Sequence, residues 1–329
     1  MDRLGLAEKM QQADRPIETL HLCDYQQGVL QTAQLDQAKE HFGFATTAIH
    51  GGRLQCILAD SVGSGQLHTG RACHGVVQEK KHVRVHFTDG SVATACVVIA
   101  ADGIHSVVRQ QLFPNSKVCY SGQTSYRAVA PCTLPTAFDG LGYEMWAEGR
   151  RFGYSAINTG EVYWYITLDA PFDERDKTGL SKSELLKHFT LFPKSVLSLM
   201  QATPEQQIVR TAISDLVRLP TWHVGRTALL GDAAHATTPN LGQGGAQAIE
   251  DAYVLAQSLA SHIDYTAAFT HYERIRRAKA QQVVNRSWQF DRMAHLSNPL
   301  MRTLRNTIIR SLPTVIGGRQ LDTLYRLSF

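Results

Sequence analysis

The sequence predicts an α/β fold that is interrupted by an inserted antiparallel sheet and followed by C-terminal helices. Three stretches carry that prediction. CVVIA (96–100) and TALLG (227–231) are solid apolar runs, each followed by a small-residue turn. Such runs suit strands buried on both faces of a parallel sheet with helices over it. Between them, residues 120–170 are rich in Tyr, Trp and Phe and read as paired antiparallel strands.

The elements follow in order. Residues 4–12 read as the tail of a helix, and LHLCDYQQGVL (20–30) as strand and turn. GRLQCILADS (52–61) puts Leu54, Ile57 and Leu58 at helical spacing. Within 74–103, VRVHF alternates, TDG turns, and CVVIA follows. The character changes after Pro114. RRFGYSAI and EVYWYITL flank NTG, a hairpin signal. SKSE (181–184) is a capping box, expected to open a helix running to about residue 202. A helix from about residue 244 carries Ala248, Ile249, Ala252, Leu255, Ala256 and Leu259 on one side. Residues 265–310 read as largely helical. The predicted layout is discontinuous. Residues 1–116 and 212–285 form one α/β domain, 117–211 a sheet domain, and 286–329 a C-terminal helical segment.

Composition narrows the function classes. A chain of 329 residues is expected to form one large domain or two. It is 43% hydrophobic and 19% charged, ordinary for a soluble enzyme. The net charge of +4 is spread among interspersed acids and bases, with no basic block to suggest a nucleic-acid partner. No apolar run is long enough to span a bilayer, and MDRLGLAEKMQQADRP lacks the apolar core of a signal peptide. Cysteines stand at 23, 56, 73, 96, 119 and 132, without a C-x-x-C pair or zinc-ligand spacing. Reduced thiols, a cytoplasmic location and no metal are the expectation. The oligomeric state is not legible.

The chemistry concentrates in GDAAHATTPNLGQGGAQAIED (231–251). A strand ending in Gly231-Asp232 puts a carboxylate at the C-terminal edge of a sheet, where α/β folds bind ligands. That carboxylate can accept hydrogen bonds from ribose or ribityl hydroxyls. The chain then passes Pro239 to reach Gly242, Gln243, Gly244 and Gly245 at the start of a helix. Glycines let backbone N–H groups approach a ligand, and the helix N-terminus favours a group that gains negative charge. On residue types alone, tight packing of a glycine-rich turn remains an alternative, as does a helix-capping role for Asp232. A lone His235 reads as packed or surface. ADGIHSVVR (101–109) repeats the pattern, with Asp102-Gly103 after a strand and Ser106 and Arg109 on the turn.

Together these motifs resemble those of the class A flavoprotein monooxygenases, the para-hydroxybenzoate hydroxylase type. That group includes salicylate and urate hydroxylases and zeaxanthin-epoxidase-like enzymes. ADGIHSVVR is similar to the family's DG motif, and GRTALLGDAAHATTPNLGQGGAQAIEDAYVLAQSL to its GD motif. EMWAEGRRFGYSAINTGEVYWYI resembles the substrate-domain sheet, and SYRAVA the segment that brings an arginine near the flavin. The resemblance implies a Rossmann-like FAD-binding domain, FAD as cofactor, and NADH or NADPH as reductant. It implies insertion of one atom of O2, through a flavin C4a-hydroperoxide, into an aromatic or other electron-rich small molecule.

The same resemblance assigns roles. Asp232, after Gly231, would hold the ribityl chain, and Pro239 would lie by the flavin ring. The backbone around Gly242, Gln243, Gly244 and Gly245 would face the pyrimidine end of the ring. Asp102 and Gly103 would sit near the cofactor and help organise the nicotinamide route. Arg109 would fix that turn, and Arg127 would face flavin or substrate, with a plain surface arginine as the alternative. Among the aromatics Tyr126, Trp146, Tyr154, Tyr163, Trp164 and Tyr165, which would suit a flat substrate, the first four are the pocket candidates. Strand alternation turns about half of such residues the other way, and ordinary sheet packing is the better expectation for any single one.

Two departures stand against the family pattern. The family opens with strand, G-x-G-x-x-G and helix, which hold the ADP half of FAD. Residues 1–60 contain no G-x-G-x-x-G. IHGGRLQ resembles a segment with an arginine where Gly51 stands, and Arg53 is two residues away. The expectation is an incomplete, N-terminally truncated FAD-binding domain. Three readings follow: a fragment of a genuine monooxygenase, a non-catalytic remnant with weak or no FAD binding, or an active variant. Within the enzyme readings, hydroxylation and epoxidation both stay open.

Overall fold

A computed structural model describes residues 1–26, 28–36, 39, 43–170 and 179–312. The predicted C-terminal helical segment beyond 312, and the stretch 171–178 of the predicted sheet domain, lie outside the described residues. The chain divides into two compact units. One holds Met1–Leu67, Gly122–Ala212 and, among the described residues, 292–312. The other holds His68–Ser121 and Ile213–Asp291.

In chain order the main elements are α1 (Ala7–Ala13), β1 (Thr19–Asp24), β2 (Gly28–Gln34), α2 (Gly51–Ala59), β3 (Cys73–Gln78), β4 (Val83–Phe87), β5 (Val92–Ala95) and β6 (Val98–Ala100). Next come α3 (Val107–Leu112), β7 (Val118–Pro131), β8 (Leu141–Ala147), β9 (Arg150–Asn158) and β10 (Glu161–Asp169). Then follow α4 (Lys182–His188), α5 (Lys194–Ala202), β11 (Val209–Leu216), β12 (His223–Val224), β13 (Thr227–Leu229) and α6 (Asp232–His235). The chain continues with α7 (Gly244–Ser261), α8 (Tyr265–Ala294) and α9 (Pro299–Ser311).

The first unit is built on a seven-stranded sheet in the order β11-β7-β10-β9-β8-β1-β2. The predicted hairpin forms: β9 pairs antiparallel with β10, and Gly160 turns it at φ 101°. One sheet face packs Phe152, Trp164 and Ile166 against Leu185, Phe189 and Val196 from α4 and α5. The capping box at Ser181 forms with both bonds present. The predicted single helix to residue 202 instead breaks into α4 and α5, with Pro193 as the N-cap of α5. Proline has no N–H to give and disfavours helix at the residue before it.

The compact units run differently from the division expected from the sequence. Residues 1–67 group with the sheet unit because β1 pairs parallel with β8, from Thr19 opposite Leu141 to Asp24 opposite Trp146. Residues 292–312 group there too: Asn306 donates to Asp24, and Arg302 pairs with Glu148.

In the second unit, β6 and β13 lie side by side and parallel, in register from Val98 opposite Thr227 to Ala100 opposite Leu229. β12 extends this sheet, and β3, β4 and β5 form a separate antiparallel meander. The core gathers Ala100, Ala228, Leu229, Val254, Phe269 and Tyr272. The solid apolar runs of the sequence therefore form the parallel pair, but only β13 is buried throughout; in β6 Val98 and Ile99 are half-buried and Ala100 alone is buried. No helix among the described residues is long and apolar enough to cross a membrane.

Candidate functional site

Parallel pairing of β6 with β13 puts their following residues on one edge. Asp102 leaves β6 and Asp232 leaves β13, so both acids stand at the C-terminal ends of neighbouring strands. Each strand end needs a glycine to turn. Gly103 has φ 79°, and Gly231 has φ 59° and ψ −136°, a conformation that side chains resist.

The Asp102 turn is tied to itself. Ser106 Oγ donates to Asp102 Oδ1 at 2.5 Å, and the Val108 amide donates to Oδ2 at 3.2 Å. Ser106 caps α3 by accepting from the Arg109 amide at 2.9 Å. Arg109 is buried and joins the two turns. Its guanidinium donates to the Ile104 carbonyl at 2.6 Å and to the Ala233 carbonyl at 3.3 Å. Burial lowers its pKa, and the Asp102 charge works the other way.

Asp232 stands exposed at the start of α6. Crowding of its carboxyl by the surrounding chain raises its pKa, while His235 pulls it down. The chain then makes a short turn, Pro239–Leu241, ended by Gly242 at φ 62°. Ser287 of α8 anchors that turn, donating to the Thr238 carbonyl at 2.8 Å. Helix α7 begins at Gly244, and its N-cap residue Gln243 makes no side-chain cap hydrogen bond. Its first amides therefore lack the usual side-chain partner.

This loop passes a direct test for holding a large planar group with ionisable edges. At Gly242 and Gly245 nothing stands within 4 Å of where a Cβ would be, and at Gly244 only the Thr237 methyl comes as near as 3.8 Å. The result is a bare backbone cradle with uncapped helix amides and a carboxylate nearby. These donors and this acceptor suit the flavin and ribityl end of FAD.

Behind the turn lies a buried ionic network that the sequence reading did not anticipate. Asp251, 0% exposed, accepts from the Gly231 amide at 3.0 Å and bonds His235 Nε2 at 2.5 Å. Its other oxygen accepts from Arg276 Nε at 2.7 Å. Arg276 also pairs with Glu250, which accepts from Lys279 Nζ at 2.8 Å. Burial pushes the Asp251 pKa up, but His235 and Arg276 outweigh it and hold it below the ordinary value. His235 is buried and rests against Trp222, ring centroids 4.9 Å apart. The one readable signal was charge pairing: Glu250-Asp251 interrupts an apolar helix, and Arg276 and Lys279 follow one turn apart on the next.

The four substrate-pocket candidates are not brought together. Tyr126 and Tyr154 point to the packed face of the sheet. Tyr126 accepts from the Leu180 amide at 2.9 Å, and Tyr154 stacks on Tyr143 at 5.1 Å. Trp146 and Tyr163 lie on the opposite face. Trp146 is buried, donates to Glu144 at 2.6 Å, and has Arg305 over its ring. Tyr163 is half-buried, and burial raises its pKa against the pull of Arg127. Arg127 is exposed on that same face, opposite Tyr165. Arg53 pairs with Glu161 at 2.8 Å. Among the described residues no cluster of His, Cys, Asp or Glu suits a metal ion.

Parallel strands ending in two acid–glycine turns, with a bare helix N-terminus beyond, define a nucleotide-cofactor protein of the α/β class. The comparisons with known proteins agree. The family model described as "FAD binding domain" matches residues 1–287. Aurachin C monooxygenase/isomerase of Stigmatella aurantiaca is 34% identical over 278 residues, 84% of this chain and 72% of that protein. 6-Hydroxynicotinate 3-monooxygenase of Bordetella bronchiseptica is 30% identical over 319 residues, 93% of this chain and 80% of that protein. Among solved structures, Klebsiella pneumoniae HpxO complexed with FAD and uric acid superposes with a TM-score of 0.88 at 25% identity. That match covers 98% of this chain and 83% of the other. The chain belongs to the FAD-dependent, aromatic-hydroxylase-type monooxygenase family. It is an oxidoreductase by that membership, and FAD is its cofactor.

Proposed function

We propose that this chain inserts one atom of O2 into a small, flat, electron-rich aromatic molecule, using FAD and reducing power from NADH or NADPH. The observation that carries the reading is the bare cradle at Gly242–Gly245, at the head of the helix whose Ala248 packs on Gly231, with Asp102 and Asp232 following the paired strands. The relatives support the substrate class: one acts on 6-hydroxynicotinate, and HpxO is seen with uric acid. Both compounds are flat, electron-rich nitrogen heterocycles.

When bound, FAD supplies the electron and oxygen chemistry. The chain's own residues do the rest. The Asp232 carboxylate accepts hydrogen bonds from ribityl hydroxyls. The α7 N-terminus presents amides and the positive end of its dipole to the edge of the ring that gains charge on reduction. Pro239 would lie by the ring and has no N–H to offer it. Arg109 holds the Asp102 and Asp232 turns at a fixed spacing, so the cofactor edge meets a rigid frame. Arg127 is the candidate to face flavin or substrate, with Tyr163 beside it.

The test is FAD titration of the 329-residue chain, followed by NAD(P)H oxidation across a panel of aromatic acids and heterocycles. Gly244→Val adds a branched side chain where only a methyl at 3.8 Å now stands. It should fold, and it should weaken flavin binding by at least ~10-fold through steric filling of the approach. Unchanged FAD affinity in Gly244→Val would remove this loop from the site. Oxidation of NAD(P)H that no aromatic compound stimulates would remove the substrate class.

A further inference from the structure

We infer that Asp251 is a positioning residue for the flavin-binding turn: its buried carboxylate holds both ends of the Gly231–His235 segment and thereby aims Asp232. The role rests on the site reading above.

The geometry carries it. The segment is short and opens on a conformation reserved for glycine, with Gly231 at φ 59° and ψ −136° at one end and His235 at the other. One oxygen of Asp251 takes both ends, the Gly231 amide at 3.0 Å and His235 Nε2 at 2.5 Å. The four-residue helix α6, too short to hold itself, lies between those anchors. Asp251 cannot move to follow its partners. It sits on the third turn of α7, and its second oxygen is fixed by Arg276 Nε at 2.7 Å. Arg276 is 0% exposed and is bound in turn by Glu250 and by Gln247 Oε1 at 2.7 Å. The helix whose N-terminus forms the cradle therefore also supplies the carboxylate that fixes the neighbouring acid turn. One rigid body sets the distance between the α7 amides and the Asp232 carboxylate. A buried charge that served stability alone would need only its cation. This one spends an oxygen on a backbone amide one residue before the ligand-facing acid.

Neutralising Asp251 should loosen the turn in a way that removing another charge of the network does not. Asp251→Asn keeps the shape but weakens the bonds to the Gly231 amide and to Arg276. Lys279→Met removes a cation that bonds Glu250 and does not touch Gly231. The first readout is amide hydrogen exchange of the 227–238 peptide in the chain without added flavin. The second is FAD affinity by titration, with the visible absorption of the bound flavin.

The expected result is that Asp251→Asn speeds exchange of that peptide by ~10-fold or more and weakens FAD by ~10-fold. That corresponds to about 1.4 kcal/mol, within reach of one charge-assisted hydrogen bond. Lys279→Met should lower the melting temperature yet leave both readouts within about twofold of the parent. Should Asp251→Asn fail to fold, His235→Leu decides: it removes one anchor and should raise exchange across 231–236 alone. Equal exchange of the peptide in Asp251→Asn and Lys279→Met overturns the inference, as does unchanged exchange in His235→Leu. Flavin binding that is indifferent to Asp232→Ala and Gly244→Val would sink the site reading instead, and the exchange result would still judge Asp251. If no variant holds flavin, exchange alone decides.

Discussion

Replacing Gly231 with alanine should cost far more than the same change at Gly242, eleven residues on. Both are glycines of the same stretch, and both have positive φ, so neither residue type nor the sign of φ separates them. The structure separates them. Gly242 has φ 62° and ψ 19°, the left-handed helical region, where alanine costs about 1–2 kcal/mol, and nothing lies within 4 Å of its would-be Cβ. Gly231 has ψ −136°, in a region held almost only by glycine, at roughly 1–3 kcal/mol for another residue. A Cβ there would also stand 3.0 Å from the Ala248 Cβ. That methyl is fixed on helix α7 and has no rotamer to swing, so overpacking adds about 1 kcal/mol or more. The expected losses are therefore ~1–2 kcal/mol for Gly242→Ala and ~2–4 kcal/mol for Gly231→Ala. Urea unfolding of both variants, compared at a common slope, measures the difference. A Gly231→Ala loss no larger than that of Gly242→Ala would refute the account of this turn.

Two further outcomes are expected. Asp232 has a raised pKa in the fold, so its charge costs stability above the unfolded value, and that cost fades as pH falls through the folded value. Asp232→Asn should then melt at the same temperature as the parent or slightly higher at pH 7, with the gap closing toward pH 4, while FAD affinity falls; a lower melting temperature at pH 7 would contradict the sign. In the sheet unit, Glu144 accepts from Arg151 at 2.7 and 2.9 Å and from Tyr165 at 2.6 Å, with Arg151 1% exposed. Arg151→Met strands that carboxylate and should cost about 3–5 kcal/mol, most of it recovered in Arg151→Met/Glu144→Gln; denaturant titration of both variants reads this, and a single-variant loss below ~1 kcal/mol would mean the pair does not hold the sheet.

Local chemistry was legible in the sequence because it is written in neighbouring residues. The two acid–glycine turns, the NTG hairpin and the SKSE cap each depend on a few adjacent side chains and their backbone preferences. That 98–100 and 227–229 are strands of a parallel sheet was also readable from their unbroken apolar runs, while their pairing with each other came from the structure. Where the sequence reading ran past a local signal, as with the helix drawn through Pro193, the local rule prevailed.

What the sequence could not decide were choices of partner across long stretches of chain. The sequence put Thr19–Asp24 with the α/β domain, and only its parallel pairing with Leu141–Ala147 placed it in the seven-stranded sheet. Tyr126 and Tyr154 were separated from Trp146 and Tyr163 by register, and a shift of one residue would have reversed both faces. Nothing next to Asp251 in the sequence singles it out on its helix. It is buried against the Gly231 amide, twenty residues back, because α7 packs its Ala248 on Gly231 and brings Asp251 within 3.0 Å of that amide. A buried donor must find an acceptor wherever the fold brings one, and which residue that is depends on packing rather than on sequence neighbours.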